Sequence, residues 1–197
     1  MLRLINISHR YKNSEKSTLE NVNFNFENRK YILVGPSGTG KTTLINIAGK
    51  IMEPTRGQVL TDFVLGFIFQ SFNLLSDFTI RENIELAAKI KKITPGYEEI
   101  SKLTGIFEIL DKFPNQVSGG QNQRAAITRS LAYGANFVLA DEPTANLDDE
   151  NAQIIINLFD LINKELNIGF VISTHDRKWL TIADEALTIE NGILKEL

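Results

Sequence analysis

Short apolar runs and longer amphipathic stretches take turns along this chain. Residues 2–7 (LRLINI) and 22–26 (VNFNF) alternate, or nearly alternate, between apolar and polar positions, the period of a half-buried strand. Residues 30–34 (KYILV) are continuously apolar after the lysine and end at Gly35, the pattern of a strand buried on both faces. Residues 41–51 then predict a helix, and residues 58–69 one or two strands ending in GFIFQ. Residues 79–113 read as mostly helical. Ile80, Ile84, Ala87, Ala88 and Lys91 share one side, Pro95-Gly96 interrupts, and a second helix pair runs up to Pro114. A further helix is predicted over 121–134 with Gly134 as its stop, followed by a buried strand at 136–140 (NFVLA). Residues 149–166 form the clearest amphipathic helix, with Ile155, Leu158, Phe159, Ile162 and Leu166 on one face. A strand at 168–173 and a hairpin turning at Asn191-Gly192 close the chain. Strands alternating with helices imply an α/β fold with a parallel core. The helical stretch 71–134 lies between strands of that core and is expected to form a subdomain.

Composition narrows the classes. At 197 residues and 43% hydrophobic, one domain with a sizeable core is expected. A net charge of -3 without a long basic run argues against non-specific nucleic-acid binding. The chain has no cysteine, which excludes disulfides, thiolate zinc sites and a cysteine nucleophile. The first residues lack the apolar segment of a signal peptide, and no apolar run approaches the roughly 20 residues needed to span a bilayer. Any membrane role is therefore expected to run through a partner.

The chemistry concentrates in a few segments. GPSGTGKT (35–42) fits G-x-x-x-x-G-K-[ST] between a predicted strand and a predicted helix, the context that motif requires. Gly35, Pro36, Ser37, Gly38, Thr39 and Gly40 form a loop whose backbone N–H groups can turn around phosphate oxygens, and the helix that Lys41, Thr42 and Thr43 open adds its positive end. Lys41 is suited to the β- and γ-phosphates and the Thr42 hydroxyl to Mg²⁺. FVLADEP (137–143) is an apolar strand ending in two acids. Asp141 is placed to hold the metal through water, and Glu142 to act as general base on the attacking water. VISTHD (171–176) repeats the arrangement with His175, which could reach the γ-phosphate or the water. Gln70 could bind metal or water as an amide, and Tyr11 could stack on adenine; alone, each would be read as a surface or packing residue.

VSGGQNQR (117–124) is a second glycine loop that opens a helix. Two adjacent glycines serve neither a helix nor a strand interior. In order, Tyr11, GPSGTGKT, Gln70, VSGGQNQR, VLADEP, ANLD (145–148) and STHD closely resemble the nucleotide-binding domain of ATP-binding-cassette (ABC) transporters, from Leu2 to about Gly192. The resemblance implies a P-loop α/β core with an antiparallel β subdomain and an inserted helical subdomain, residues 1–70 and 135–197 against 71–134. Tyr11 then matches the adenine-stacking aromatic, Gly35 to Thr42 the phosphate loop, Gln70 the glutamine loop, and Ser118, Gly119, Gly120 and Gln121 the signature. Asp141 and Glu142 match the metal and catalytic acids, Asp148 the dimer-contacting loop, and His175 the switch histidine.

The same resemblance implies ATP and Mg²⁺ as ligands and hydrolysis as the reaction. It further implies a head-to-tail dimer with each nucleotide between one chain's phosphate loop and the other's signature, a separate integral membrane permease, and a place on the cytoplasmic face of the membrane. FNLLSDFTIRENI and LADEPTANLD are most similar to the subgroup that powers lipoprotein release, macrolide or peptide export, and division-linked permeases. A division-linked switch stays open beside transport. ABC ATPases acting on DNA or ribosomes are disfavoured by the lack of a coiled-coil insertion, a second cassette or a basic linker. Four departures stand out. Val117 replaces leucine before Ser118. Asn28 stands where a glycine is usual and is expected to turn left-handed. Thr128 and Ser130 replace small apolar residues. Residues 57–66 are shortened, which bears on the edge of the antiparallel subdomain and on the support of Gln70.

Overall fold

The computed structural model describes residues 1–12, 14–90 and 96–197. The expected positions of Lys91 and Pro95 lie outside them. Two sheets form the frame. The first is antiparallel, ordered β2-β1-β4, from β1 (Leu2–His9), β2 (Leu19–Phe26) and β4 (Arg56–Thr61). The second has six strands ordered β5-β6-β7-β3-β8-β9. In it, β5 (Leu65–Ile68), β6 (Phe137–Asp141), β7 (Gly169–Thr174), β3 (Lys30–Val34) and β8 (Glu185–Glu190) run parallel, and β9 (Ile193–Glu196) returns antiparallel to β8.

The two half-buried strands alternate imperfectly for a structural reason. In β1 the buried positions shift from Leu2 and Leu4 to Ile7, and the pairing registers slip between them. Asn6 takes φ 52° at that slip and Asn21 takes φ 47° on the facing strand. Each asparagine tolerates the left-handed region and inserts a bulge, so the buried side changes phase within one strand. In contrast, all of β3 and β7 is buried, as expected of parallel strands covered on both faces.

The six-stranded sheet separates two clusters. One joins its face to the antiparallel sheet and to α1 (Lys41–Ala48), around Phe26, Tyr31, Leu44 and Phe137. The other packs α5 (Asp149–Leu166), Trp179 and part of α4 (Gly119–Ala132) on the opposite face. On α5 the predicted Ile155, Leu158, Phe159 and Ile162 are buried. Leu166 departs from the expectation at 40% exposed. It occupies the final turn, where Asn167 swings to φ 52° and hands the core position to Ile168. A third cluster, with Ile80, Ile84, Tyr97, Ile106 and Ala125, joins α2 (Ile80–Ile90), α3 (Tyr97–Leu103) and α4. The expected second helix pair is a single seven-residue α-helix followed by 3₁₀ turns at 107–109 and 114–116. Gly105 at φ 69° stops the helix, and the Thr104 hydroxyl donates back to Ile100 O.

Asn28 is also a correction. It is not among the residues with positive φ, and its side-chain amide donates to Asn167 O at 3.3 Å. The chain turns there through Arg29 N donating to Glu27 O at 2.7 Å, which needs no left-handed residue. Val117 keeps its apolar role against the third cluster. Thr128 is fully buried and bonded to Thr104 at 2.7 Å, a pairing that needs a hydroxyl at this position. The shortened segment leaves the antiparallel edge whole. β4 pairs with β1 from Thr61 to Arg56, and only residues 62–64 separate it from β5. Phe63 stacks on Phe137 at 4.8 Å, and Val64 exchanges hydrogen bonds with Asn136.

Lys30 is the one charged side chain at the base of β3 that the core must accommodate. It is 7% exposed, and its ammonium meets Asp160 Oδ1 and Asn163 Oδ1 at 3.1 Å and Asp184 at 3.5 Å. Hydrogen bonds from Lys164 and then Lys30 hold the Asp160 carboxyl below the usual carboxylate range. A depressed folded pKa means the contribution is complete above the unfolded pKa of about 4 and is lost as pH falls through the folded one. Asp160→Asn should therefore lower the melting temperature at pH 7 by on the order of 3–6 °C. Thermal unfolding against pH checks it: the gap between variant and wild type should close on acidification.

Candidate functional site

Four parallel strands deliver their C-terminal ends to one edge of the sheet. Gly35 follows β3, Gln70 follows β5, Asp141 ends β6, and His175 follows β7. This is the edge where open parallel sheets bind ligands. A cleft of about 400 Å³ opens there, lined by Tyr11, Ser37, Gly38, Gly40, Lys41, Thr42, Thr43, Gln70, Glu142 and His175, together with Thr18 and Ala145.

The loop before α1 bends through Gly38 at φ 81° and Gly40 at φ 106°. Gly40 is the N-cap and no side chain caps the helix, so its first N–H groups are left for a ligand where Gly40 to Thr43 line the cleft. Lys41 is 5% exposed, and its ammonium donates to Gly35 O at 2.7 Å and Pro36 O at 2.9 Å, which ties it to the loop. Gly35, Pro36 and Thr39 thus shape the loop without lining the cleft, and the Thr39 hydroxyl donates to Pro36 O.

Asp141 lies just behind Thr42, whose hydroxyl donates to Asp141 Oδ1 at 3.1 Å. Ser173 donates to the same oxygen. A hydroxyl beside a carboxylate, with the Gln70 amide lining the same cleft, is an all-oxygen donor set of the kind Mg²⁺ prefers. No group of three or more His, Cys, Asp or Glu able to hold a metal occurs among the described residues, so such a cation would depend on this mixed set and on phosphate.

Glu142 sits at φ 49° in the left-handed region, an uncommon conformation for a side-chain-bearing residue that must be held by its surroundings. Its N–H donates to Ser173 O at 3.0 Å, and its own carbonyl accepts from Ala145 N at 3.1 Å. Its carboxylate lies 2.8 Å from His175 Nδ1 and 3.8 Å from the Lys41 ammonium. Tyr11 stands at the opposite wall, 45% exposed, with its hydroxyl 3.0 Å from the Thr43 hydroxyl and its ring edge-on to His9. A half-exposed aromatic ring lining a cleft beside a phosphate loop suits stacking on a base.

Ser118, Gly119, Gly120, Gln121 and Asp148 do not line this cleft. Ser118 to Gln121 build the start of α4, and Asp148 the start of α5. The Ser118 hydroxyl accepts from Gln121 N at 3.2 Å while the Gln121 side chain accepts from Ser118 N at 2.9 Å, a reciprocal capping box. Gly120 is required by packing: a Cβ there would lie 2.2 Å from Asn151 Oδ1. The Asn151 side chain cannot yield easily, because its amide bonds both Asp148 carboxylate oxygens at 2.8 and 3.0 Å. Asp148 caps α5 through Asn151 N, which holds its carboxyl below the usual range.

Thr18, Ser173 and Asn146 are parts of the site that the sequence reading did not single out. Asn146 donates to Gln70 O at 3.0 Å and so steadies the backbone of that loop. Ser173 carried a weak signal as one of the two hydroxyl residues that end an apolar strand. Thr18 carried none.

Known proteins place this geometry. The family profile described as ABC transporter matches residues 19–145. The chain is 35% identical to the lipoprotein-releasing system ATP-binding protein LolD of Buchnera aphidicola, over 98% of this chain and 96% of that protein. That alignment, over 219 residues, is longer than the 197-residue chain, so the relative carries residues with no counterpart here. It is 34% identical to the uncharacterized ABC transporter ATP-binding protein MJ0796 of Methanocaldococcus jannaschii, covering 98% and 94%. Among solved structures, a dimeric post-hydrolysis state of the ATP-binding cassette MJ0796 bound to ADP and Pi superposes with a TM-score of 0.87 at 32% identity, covering 100% of this chain and 98% of that one.

Proposed function

Since this chain belongs to the ABC transporter family and is one of its ATP-hydrolysing cassettes, we propose that it energises a separate membrane permease by closing on ATP as a pair and reopening after hydrolysis. The observation that carries the reading is the division of the site. Lys41, Thr42, Asp141, Glu142 and His175 gather in and behind one cleft, while the capped helix start at Ser118–Gln121 lies outside it.

Each chain then holds a nucleotide against its own phosphate loop and offers Ser118 and the Gly119 and Gly120 N–H groups to its partner's γ-phosphate. Tyr11 receives the adenine, and the loop N–H groups with Lys41 hold the phosphates. Thr42, Asp141 and Gln70 would hold Mg²⁺, which when bound neutralises charge on the phosphate oxygens. Glu142 takes the proton of the attacking water, and His175 at 2.8 Å orients that carboxylate and contacts the γ-phosphate. Closure draws the Ser118 helix start toward the other chain's cleft, and the charge developing on the phosphate is met from both sides. ATP thereby becomes part of the interface that its hydrolysis dissolves.

No helix among the described residues is long and apolar enough to cross a membrane. We place the chain at the cytoplasmic face, held by its permease, and the lipoprotein-release relative supports extraction or export as the work done. The test is affinity purification of the Glu142→Gln form with MgATP from detergent-solubilised membranes. An integral membrane protein should co-purify in stoichiometric amount. Recovery of only soluble partners would overturn the transport reading and favour a non-transport switch.

A further inference from the structure

The chain's only tryptophan lies close behind the reacting groups. Trp179 belongs to the 3₁₀ turn Arg177–Ile182 that follows His175, is fully buried, and meets Phe159 edge-on at 5.1 Å. Its indole N–H donates to the Thr144 hydroxyl at 3.1 Å. Thr144 is 8% exposed and stands two residues after Glu142, inside the turn closed by Ala145 N on Glu142 O and Leu147 N on Thr144 O.

Two loops leave the ends of β6 and β7, and each carries one member of the Glu142–His175 pair. Among the described residues, two side-chain hydrogen bonds join residues 142–147 to residues 175–182. The outer one is the pair itself, with a His175 side chain that is 61% exposed. The inner one, Trp179 to Thr144, is shielded from water, so it keeps its strength and leaves both groups unpaired if broken. The inner segment is also where constraint is needed, because the left-handed backbone of Glu142 persists only if its surroundings hold it. The Asp176 turn extends the tie toward β7: Asp176 N donates to Thr174 Oγ1 at 3.0 Å and Trp179 N to Asp176 O at 3.4 Å.

We infer that Trp179 is a positioning residue: its bond to Thr144 ties the His175 loop to the Glu142 turn and sets the contact between the two. This rests on the reading that Glu142 and His175 act on the attacking water. A buried indole commonly finds some acceptor. Here the acceptor it finds lies in the same turn as the proposed base, and the donor in the same loop as the histidine. That coupling gives the bond a consequence for turnover beyond packing.

The experiment uses steady-state ATP hydrolysis by the full chain. Trp179→Phe keeps a ring against Phe159 and removes the donor. Thr144→Val removes the acceptor at similar shape, and Thr144→Ser restores it. Each of the first two should lower kcat about tenfold with the KM for ATP within twofold, because the loop holding the phosphates is untouched. Thr144→Ser should stay within twofold of wild type. The Trp179→Phe/Thr144→Val double variant should be no slower than the worse single, since both remove one bond. Thr144→Val at wild-type kcat, or losses that multiply in the double variant, would overturn the inference. If Trp179→Phe does not fold, Thr144→Val and Thr144→Ser decide it alone. The underlying assignment fails separately: Glu142→Gln turning over normally would remove the catalytic reading, whereas an inactive Glu142→Gln beside a normal Thr144→Val removes only the role of Trp179.

Discussion

Glu142→Gln is expected to slow ATP turnover by about 10²–10⁴-fold while leaving ATP bound. The amide has the carboxylate's shape and can still meet His175 Nδ1, now 2.8 Å away, but it cannot accept a proton from water. Nothing that grips the nucleotide changes. The phosphate loop keeps its bend through Gly38 and Gly40, and Lys41 remains anchored on Gly35 O and Pro36 O. The 3.8 Å attraction between Lys41 and Glu142 is lost, which removes negative charge beside the phosphates and should leave binding equal or tighter. Phosphate release and equilibrium nucleotide binding measured on the same preparation separate the two effects. Turnover near the wild-type rate would show that another group takes the proton.

The second large effect concerns a residue outside the cleft. Ser118→Arg places a long cation at an exposed helix start, removes the hydroxyl that accepts from Gln121 N, and blocks the approach of a neighbouring phosphate. Alone it should be nearly inactive, as should Glu142→Gln alone. Mixed in equal amounts they should recover activity toward about a quarter of wild type. Half of the pairs are then mixed, and each mixed pair has one of its two sites intact, built from the unaltered phosphate-loop side of one chain and the unaltered Ser118 of the other. Residues acting within a single chain could give no such rescue. A flat mixture in which sedimentation shows that mixed pairs have formed would exclude the shared site.

How much of this was legible depends on the range over which each feature is determined. The strand at 30–34 and the helix at 149–166 coincide with their predicted limits because burial on both faces, or on one face of a helix, is written in consecutive residues. The phosphate loop was legible for the same reason, since its glycines and lysine fall within eight positions. The bulges at Asn6 and Asn21 were not legible, because each depends on the strand opposite. Asn28 was misjudged from a local rule, and the contact that occupies it comes from Asn167 at the far end of α5. Thr18, Ser173 and Trp179 enter through segments distant in sequence, Ser173 reaching Asp141 on the neighbouring strand and Trp179 reaching Thr144 in the neighbouring loop. The seven-residue α3 was overestimated because Gly105 and the Thr104 back-bond end it before its apolar pattern does.

The three residues between β4 and β5 have a consequence for how the molecule comes apart. Fully extended, they bridge at most about 11 Å, so the antiparallel sheet is moored to the edge strand that leads to Gln70. Phe63 on Phe137 and Val64 on Asn136 clamp the mooring's β5 end to the start of β6. A longer link would let the antiparallel sheet open as a separate foldon. This one should make the two sheets lose amide protection together in native-state hydrogen exchange, with β1, β4, β5 and β6 sharing one opening free energy.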